Sequence, residues 1–291
     1  MQDREPTIRN RALGEGLRQA MKHAGLTGEQ AARQLGWSPS LVSRLLSGKR
    51  NATESQVLEF LDMCRVTGTE RDRLLELCHE KQAPGWWQRH GSRLPEQLIL
   101  LIGHETKAVA ISDFQSTVVP GLLQTGDYAR ALIKEAGTVP AEEIDGRVAA
   151  RLGRQSLFSR ERPAHFTFYL HEFVLRLPVG GPAVMFEQVD HLLRMSLRPY
   201  LTMQVIPAAQ GAHAAMAGAF TLMEFADFKP VVYLESEASC LFLNKPEEIE
   251  AYQRILGTLA KTALDEEESR ELIATLAAEL SANCEDPDDP A

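Results

Sequence analysis

The chain has 291 residues, 44% of them apolar, and a formal net charge of −9. At roughly 150 residues per domain, that length suggests about two domains with real cores. No apolar run approaches the about 20 residues that a membrane-spanning helix requires, which excludes one. The opening M-Q-D-R-E-P is charged with no apolar stretch behind it, so no signal peptide, a cytoplasmic location and no membrane partner are expected. The four cysteines, at positions 64, 78, 240 and 284, lie far apart and never form C-x-x-C, so reduced, packed thiols are expected, with no disulfide framework, metal or cofactor.

Residues 1–8 are polar and read as disordered. Leu13, Leu17, Ala20 and Met21 then recur on one helical face, and Gly25 closes that helix. Residues 26–50 follow as L-T-G-E-Q-A-A-R-Q-L-G-W-S-P-S-L-V-S-R-L-L-S-G-K-R. Thr27 starts a helix whose apolar stripe is Ala31, Ala32 and Leu35, and Gly36 stops it. Ser38 caps a second, with Pro39 at its first position, Leu41, Val42, Leu45 and Leu46 on the buried side, and Ser40, Ser43 and Arg44 facing outward. Gly48 ends it. Thr53 opens a fourth helix, with Val57, Leu58, Leu61 and Cys64 inward and Gly68 as its stop. Thr69 with Asp72 reads as a capping box for a fifth, through Leu74, Leu75, Leu77 and Cys78.

Five short helices in residues 9–80 make a small all-α head. Two of them, joined by a tight turn, have the layout of a helix-turn-helix, whose second helix enters the major groove. Charge supports it: residues 9–50 hold eight Lys/Arg against Glu15 and Glu29, and this local excess of six leaves −15 for the rest of the chain. Residues 10–80 resemble the Xre/Cro/phage-repressor type of helix-turn-helix domain, with its phrase L-T-x-x-x-x-A-x-x-L-G-x-S-x-S-x-[IV]-S-R-[IL]-x-x-G-x-R. The matches run from Leu26 and Thr27 through Ser38, Ser40, Val42, Ser43, Arg44 and Gly48 to Arg50. The chain departs at Leu46, where the family commonly has Glu, and at Gly28, where Gln is frequent. The resemblance implies binding to double-stranded DNA. The residues expected at that interface are Thr27, Gln30, Ser38, Ser40, Ser43, Arg44, Lys49 and Arg50. Arg44 suits either a guanine edge or a phosphate. Trp37 reads as a wedge between the helices.

Residues 81–94, with their Gly, Pro and basic groups and the pair Trp86 and Trp87, read as a linker that docks on a second domain, residues 95–283. That body reads as mixed α/β ending in helices, so the fold class is multidomain, α followed by α+β. Helices are expected over 95–104, 120–134, 142–158, 185–196, 247–263 and 267–280, and strands over 108–114, 166–170, 203–206, 220–225 and 231–235. Arg147, Arg151 and Arg154 share one helical face. Residues 284–291, C-E-D-P-D-D-P-A, read as a disordered acidic tail.

The strings S-T-V-V-P-G-L-L-Q-T-G-D-Y-A-R-A-L (116–132), R-V-A-A-R-L-G-R-Q (147–155), H-E-F-V-L-R-L-P-V-G-G (171–181), V-I-P-A-A-Q-G-A-H (205–213) and P-V-V-Y-L-E (230–235) are similar to a domain of unknown function. That domain commonly follows Xre-type heads in high-GC Gram-positive bacteria. The resemblance implies a transcriptional regulator, with a small partner protein encoded nearby. The body's polar candidates are Glu105, Gln124, Arg130, Arg151, His171, Glu172, Arg176, His213 and Glu235. Gln124, Arg151, Arg176, His213 and Glu235 are the residues expected to meet a ligand or partner. His171 and Glu172, adjacent in an expected strand, point to opposite faces and make no dyad. The expected function is a non-enzymatic, sequence-specific DNA-binding regulator, a homodimer whose body both dimerises and senses a ligand or a partner protein. The alternative is a body that is an enzyme or toxin-like effector, such as a nucleotide-dependent transferase, autoregulated through the helix-turn-helix.

Overall fold

A computed structural model describes residues 7–79, 94–236 and 239–285, which fall into two compact units, Met1–Gly85 and Trp86–Ala291. The expected tail beyond Glu285, the linker up to residue 93 with Trp86 and Trp87, and residues 1–6 lie outside the described residues.

The first unit holds five helices: α1 (Ile8–His23), α2 (Gly28–Leu35), α3 (Pro39–Leu46), α4 (Glu54–Met63) and α5 (Thr69–His79). Four of them start on a hydroxyl that accepts a backbone N–H three residues on: Thr7 from Asn10, Thr27 from Gln30, Ser38 from Leu41 and Thr53 from Gln56. Each such cap satisfies a donor the helix itself leaves open. The apolar faces meet in one core containing Leu17, Val42, Leu45, Val57, Leu61 and Phe60, the last not singled out by the sequence, whereas Leu58 is only half-buried. Trp37 packs against this core, its ring 6.4 Å from that of Phe60.

Two expected boundaries move. The fourth helix stops at Met63, not Gly68: Arg65 turns left-handed (φ 55°), and Val66 N–H closes back on Leu61 O at 2.9 Å. Gly68 instead supplies the carbonyl that accepts from Asp72 N, so Thr69 is the first helical residue rather than a cap.

α1 and α3 touch through backbone. A Cβ on Gly14 would lie 2.6 Å from Leu46 O, and one on Gly48 2.7 Å from Asn10 O. Gly48 also adopts φ 72°, a left-handed conformation that disfavours any side chain. Arg18 reaches from α1 to donate to Leu46 O at 2.7 Å while pairing with Glu15. Leu46, where Glu is common in similar heads, is buried in the core.

The second unit contains α6 (Glu96–Lys107), β1 (Ala110–Gln115), α7 (Gly126–Ala136), α8 (Ile144–Arg154), β2 (His165–His171), α9 (Phe173–Arg176), α10 (Pro182–Met195), β3 (Leu201–Ile206), β4 (Phe220–Glu224), β5 (Val231–Glu235), β6 (Cys240–Leu243), α11 (Pro246–Thr262) and α12 (Glu266–Glu285). The strands form one mixed sheet in the order β3-β2-β1-β4-β5-β6. β1, β2 and β3 run parallel, joined by helical crossovers, and β4, β5 and β6 continue antiparallel from the other side of β1.

The expected helix over 120–134 is broken. Gly121–Leu123 forms a single 3-10 turn, Gln124 is extended, and Thr125 caps α7 by accepting from Tyr128 N. Similarly, α8 is flanked by 3-10 turns, Ala141–Glu143 and Gln155–Ser159. The edge strand β6 and the one-turn α9 were not expected, being too short for a periodic signal. The helix α12 continues through residues 284–285, which the sequence assigned to the tail.

Register fixes the two faces of the sheet. Phe114, Phe220, Leu222 and Val232 share one face in an apolar core with residues of α11 such as Ile249 and Leu259. On the other face, Asp113, Thr221, Tyr233 and Phe242 stand in one row.

Candidate functional site

In the first unit, the expected interface residues lie on the two ends and outer face of the helix pair. Ser40, Ser43, Lys49 and Arg50 are exposed, as are the cap residues Thr27, Gln30 and Ser38. Thr27 and Gln30 form a reciprocal capping box: Gln30 N donates to Thr27 Oγ1 at 3.3 Å, and Thr27 N to Gln30 Oε1 at 2.8 Å. This fixes both side chains yet leaves the Gln30 amide nitrogen and the Thr27 hydroxyl proton as donors at the amino end of α2. Ser38 and Ser40 hydroxyls lie 3.2 Å apart at the amino end of α3.

Arg44 departs from expectation. It is half-buried rather than turned wholly outward, and its Nε is buried with no acceptor among the described residues. Burial of that nitrogen holds the stem of the side chain against the protein. Lys22, Arg33, Arg44 and Arg50 have no carboxylate within ion-pair distance among the described residues, so their positive charges are not offset by such pairs.

In the second unit, the expected residues divide into two groups at the carboxyl-terminal edge of β1, β2 and β3, one on each face of the sheet. Gln124, Arg151 and Glu235 come together on the polar face. Arg151 Nη1 donates to Gln124 Oε1 at 2.7 Å; Gln124 Nε2 donates to Val119 O at 2.7 Å; Gln155 Nε2 donates to Gln124 O at 2.6 Å. The neighbouring Gln188 bridges Thr125 N and Leu123 O, and Val119 N donates to the Tyr128 hydroxyl. Burial, then the nearby charge of Arg154, pushes the Arg151 guanidinium down to about 10, while Glu235 and Tyr233 act the other way. Burial, followed by the Glu235 carboxylate, pushes the Tyr233 hydroxyl up.

Beneath this group lies a buried ion pair, Arg154 with Glu105, closed by two hydrogen bonds of 2.9 and 2.5 Å. Burial, the largest single influence, opposes the Arg154 charge, but the Glu105 charge and hydrogen bonding, with Glu235 and Tyr233, together raise the Arg154 pKa. Asp113 sits alongside, accepting from Thr221 Oγ1 at 2.7 Å and Gln115 Nε2 at 3.0 Å, and burial raises its carboxyl to about 6 despite both donors. His104 from α6 stacks on Phe242 with centroids 4.7 Å apart.

Arg176 and His213 form the second group, with His171 and Glu172. Glu172 is in the turn after β2, not in the strand, and its carboxylate accepts from Ala208 N and Arg176 Nε, which lower its pKa. The His171 and His213 rings are 5.5 Å apart, and each Nδ1 accepts a backbone N–H two residues on, from Phe173 and Ala215. Burial, then His171, lowers the His213 pKa.

The expected arginine ridge has three different fates. Arg147 pairs with Glu143 on the surface, Arg154 is neutralised within the core, and Arg151 stands between them. Arg130 pairs with Asp145 and takes no part in the cluster. Asp113, Gln155 and Gln188 were missed. Only the three-dimensional register reveals them, since their partners lie 108, 31 and 63 to 65 residues away.

A family model for a helix-turn-helix domain matches residues 12–74, which makes the first unit a helix-turn-helix DNA-binding domain. No helix among the described residues is long and apolar enough to cross a membrane. No curated protein and no solved structure matches the chain. Over residues 98–275, more than half of its length, the chain matches the family model of a domain of unknown function, and so it belongs to the DUF5753 family, with a helix-turn-helix domain ahead of that region.

Proposed function

We propose that the protein is a sequence-specific transcriptional regulator of the Xre kind that binds DNA as a homodimer, with a non-enzymatic body that controls the heads in response to a ligand or a small partner protein. The observation that carries the reading is the outer face of α3. Exposed Ser40 and Ser43 flank Arg44, whose stem is held against the protein while its cation has no carboxylate partner among the described residues. A pre-positioned, uncompensated guanidinium on the second helix of such a pair suits a guanine edge or a phosphate. Dimerisation is favoured because one small head buries too little DNA to select a site, whereas two heads on a palindrome multiply the discrimination. A control role for the body, rather than catalysis, is favoured by how many of its carboxylates are bound up with arginines, Glu105 and Glu172 among them.

The test is binding of the full chain to its own upstream DNA and to random duplex across a salt series. Arg44→Ala is expected to cost about 1–3 kcal/mol on the specific site and little on random duplex if it reads a base, and to weaken both alike if it grips phosphate. Absence of any preference for promoter DNA by the wild type would remove the regulator reading. Sedimentation of the free protein as a monomer at concentrations where it binds a palindrome would remove the dimer.

A further inference from the structure

We propose that Arg151 anchors a small ligand carrying an oxyanion, carboxylate or phosphate, at the carboxyl edge of the sheet, with Glu235 taking a hydroxyl or amine of the same molecule. The proposal deepens the reading of the body as a control domain and rests on it for the consequence, though not for the binding.

Arg151 is half-buried, yet no carboxylate lies within ion-pair distance of it among the described residues. Arg130, Arg147, Arg154, Arg176, Arg194 and Arg254 in the same unit each have one; of the others that do not, Arg162 and Arg198 are exposed, and Arg160 and Arg270 donate to main-chain carbonyls. A guanidinium offers five N–H donors, and Arg151 gives one to a neutral amide oxygen, that of Gln124. A cation withdrawn from water without a counter-charge is costly, and an incoming oxyanion supplies both the charge and the paired acceptors that the planar fork is shaped for.

The arrangement is built rather than incidental. Gln124 is fully buried, and its amide is fixed at Val119 O while Gln155 holds its carbonyl, so Gln124 positions the guanidinium from beneath. Gly121 keeps the facing wall low. A Cβ there would stand 3.2 Å from Arg154 Nη1, which would have to give way, and in ordinary contact, 3.9 Å, with Arg151 Nε. Since Arg154 is neutralised by two bonds to Glu105, Arg151 is the member of the pair left to act outward.

Position supports the same conclusion. β1 has parallel β2 on one side and antiparallel β4 on the other, and the chain fills the sheet outward in both directions from it. The crevice beyond the carboxyl end of a strand where the order reverses is where open sheets bind ligands. Glu235, at the end of β5 on that same edge, is exposed and close enough to act on the charge of Arg151. An acceptor-only carboxylate beside an oxyanion anchor selects molecules that bear a donor next to their anionic group, such as sugar phosphates or hydroxy and amino acids.

The experiment follows the arginine Nε–Hε signals of the full chain by NMR. Inorganic phosphate, acetate and ribose 5-phosphate are added at ionic strength matched with chloride, and the Arg151 signal is assigned by its loss in Arg151→Lys. Saturable movement of that signal, with exposed Arg198 unmoved, is expected; phosphate against acetate tells which oxyanion is preferred. Ribose 5-phosphate should bind about tenfold tighter than phosphate, and Glu235→Gln should bring the two within about threefold. Gln124→Ala should weaken every probe, with its melting curve showing that the unit remains folded. No saturable movement, equal movement at Arg198, or no advantage for ribose 5-phosphate overturns the site. Binding that leaves DNA affinity unchanged keeps the site and overturns control of the heads by this ligand. Conversely, absence of binding leaves control by a partner protein standing.

Discussion

The two units place their arginine–carboxylate pairs differently. In the helix-turn-helix unit, Lys22, Arg33, Arg44 and Arg50 stand without carboxylates among the described residues, and the pairs Arg18–Glu15, Arg71–Asp62 and Arg73–Glu70 lie at the surface. In the DUF5753 region, pairs lie both on the surface and in the core, and Arg151, half-buried beside the core pair, donates to the neutral amide of Gln124. The difference is that between a surface shaped to meet a polyanion and a domain whose charges organise itself. An arginine without a carboxylate is ordinary at a surface, as at Arg198, and informative beside a buried ion pair, as at Arg151.

Removing one partner of the buried pair tests this contrast most severely. Glu105→Gln leaves Arg154 charged in the core, and the second unit is expected to lose about 3–5 kcal/mol in denaturant unfolding, with the first unit's transition unmoved. Removal of a surface partner, as in Glu143→Gln beside Arg147, should change stability by less than about 1 kcal/mol. Equal effects would break the distinction between core and surface pairs.

In the first unit the corresponding weak point is backbone. Gly48→Ala places a methyl against Asn10 O at a left-handed φ, and a loss of about 2–4 kcal/mol is expected, read from the unfolding of that unit alone. A neutral outcome would mean that α1 and α3 are free to separate.

Asp113 gives a pH signature specific to the second unit. Its folded pKa, about 6, lies above the ordinary 3.8, so its contribution to stability is fully present below about pH 4 and is lost as pH rises through 6. The loss is about 3 kcal/mol at neutral pH, since each tenfold change in proton affinity between the folded and unfolded chain is worth about 1.4 kcal/mol. Asp113→Asn should therefore flatten this part of the stability profile between pH 4 and 7. An unchanged profile would place the titration elsewhere. Smaller than the Asp113 effect, Thr27→Ala should cost about 1 kcal/mol through the lost cap, and it should also weaken DNA binding if the Thr27 hydroxyl meets a phosphate.

Legibility in the sequence followed the same division. The caps at Thr27, Ser38 and Thr53 and the periodic apolar faces act over three or four residues, so the five helices could be placed from the residues themselves. Where a helix ended on Arg65 in place of a glycine, the local signal misled. In the second unit, the strands other than the short β6 were legible from alternation, and Gln124, Arg151 and Glu235 were picked out singly. Their convergence depended on a break at Gln124 and on a register that no local pattern encodes. Asp113 looked like one more strand residue, because Thr221 lies 108 positions away.

The close approach of Gly14 and Gly48 has a bearing on how such a head can diversify. Because the crossing of α1 and α3 is set by the thickness of the main chain, no exchange of side chains at the contact can re-aim the reading helix by small steps. On the proposed reading, new operator preferences would then be written at Ser40, Ser43 and Arg44 on a platform whose angle is held constant. That makes these three positions the natural set to randomise when seeking altered specificity.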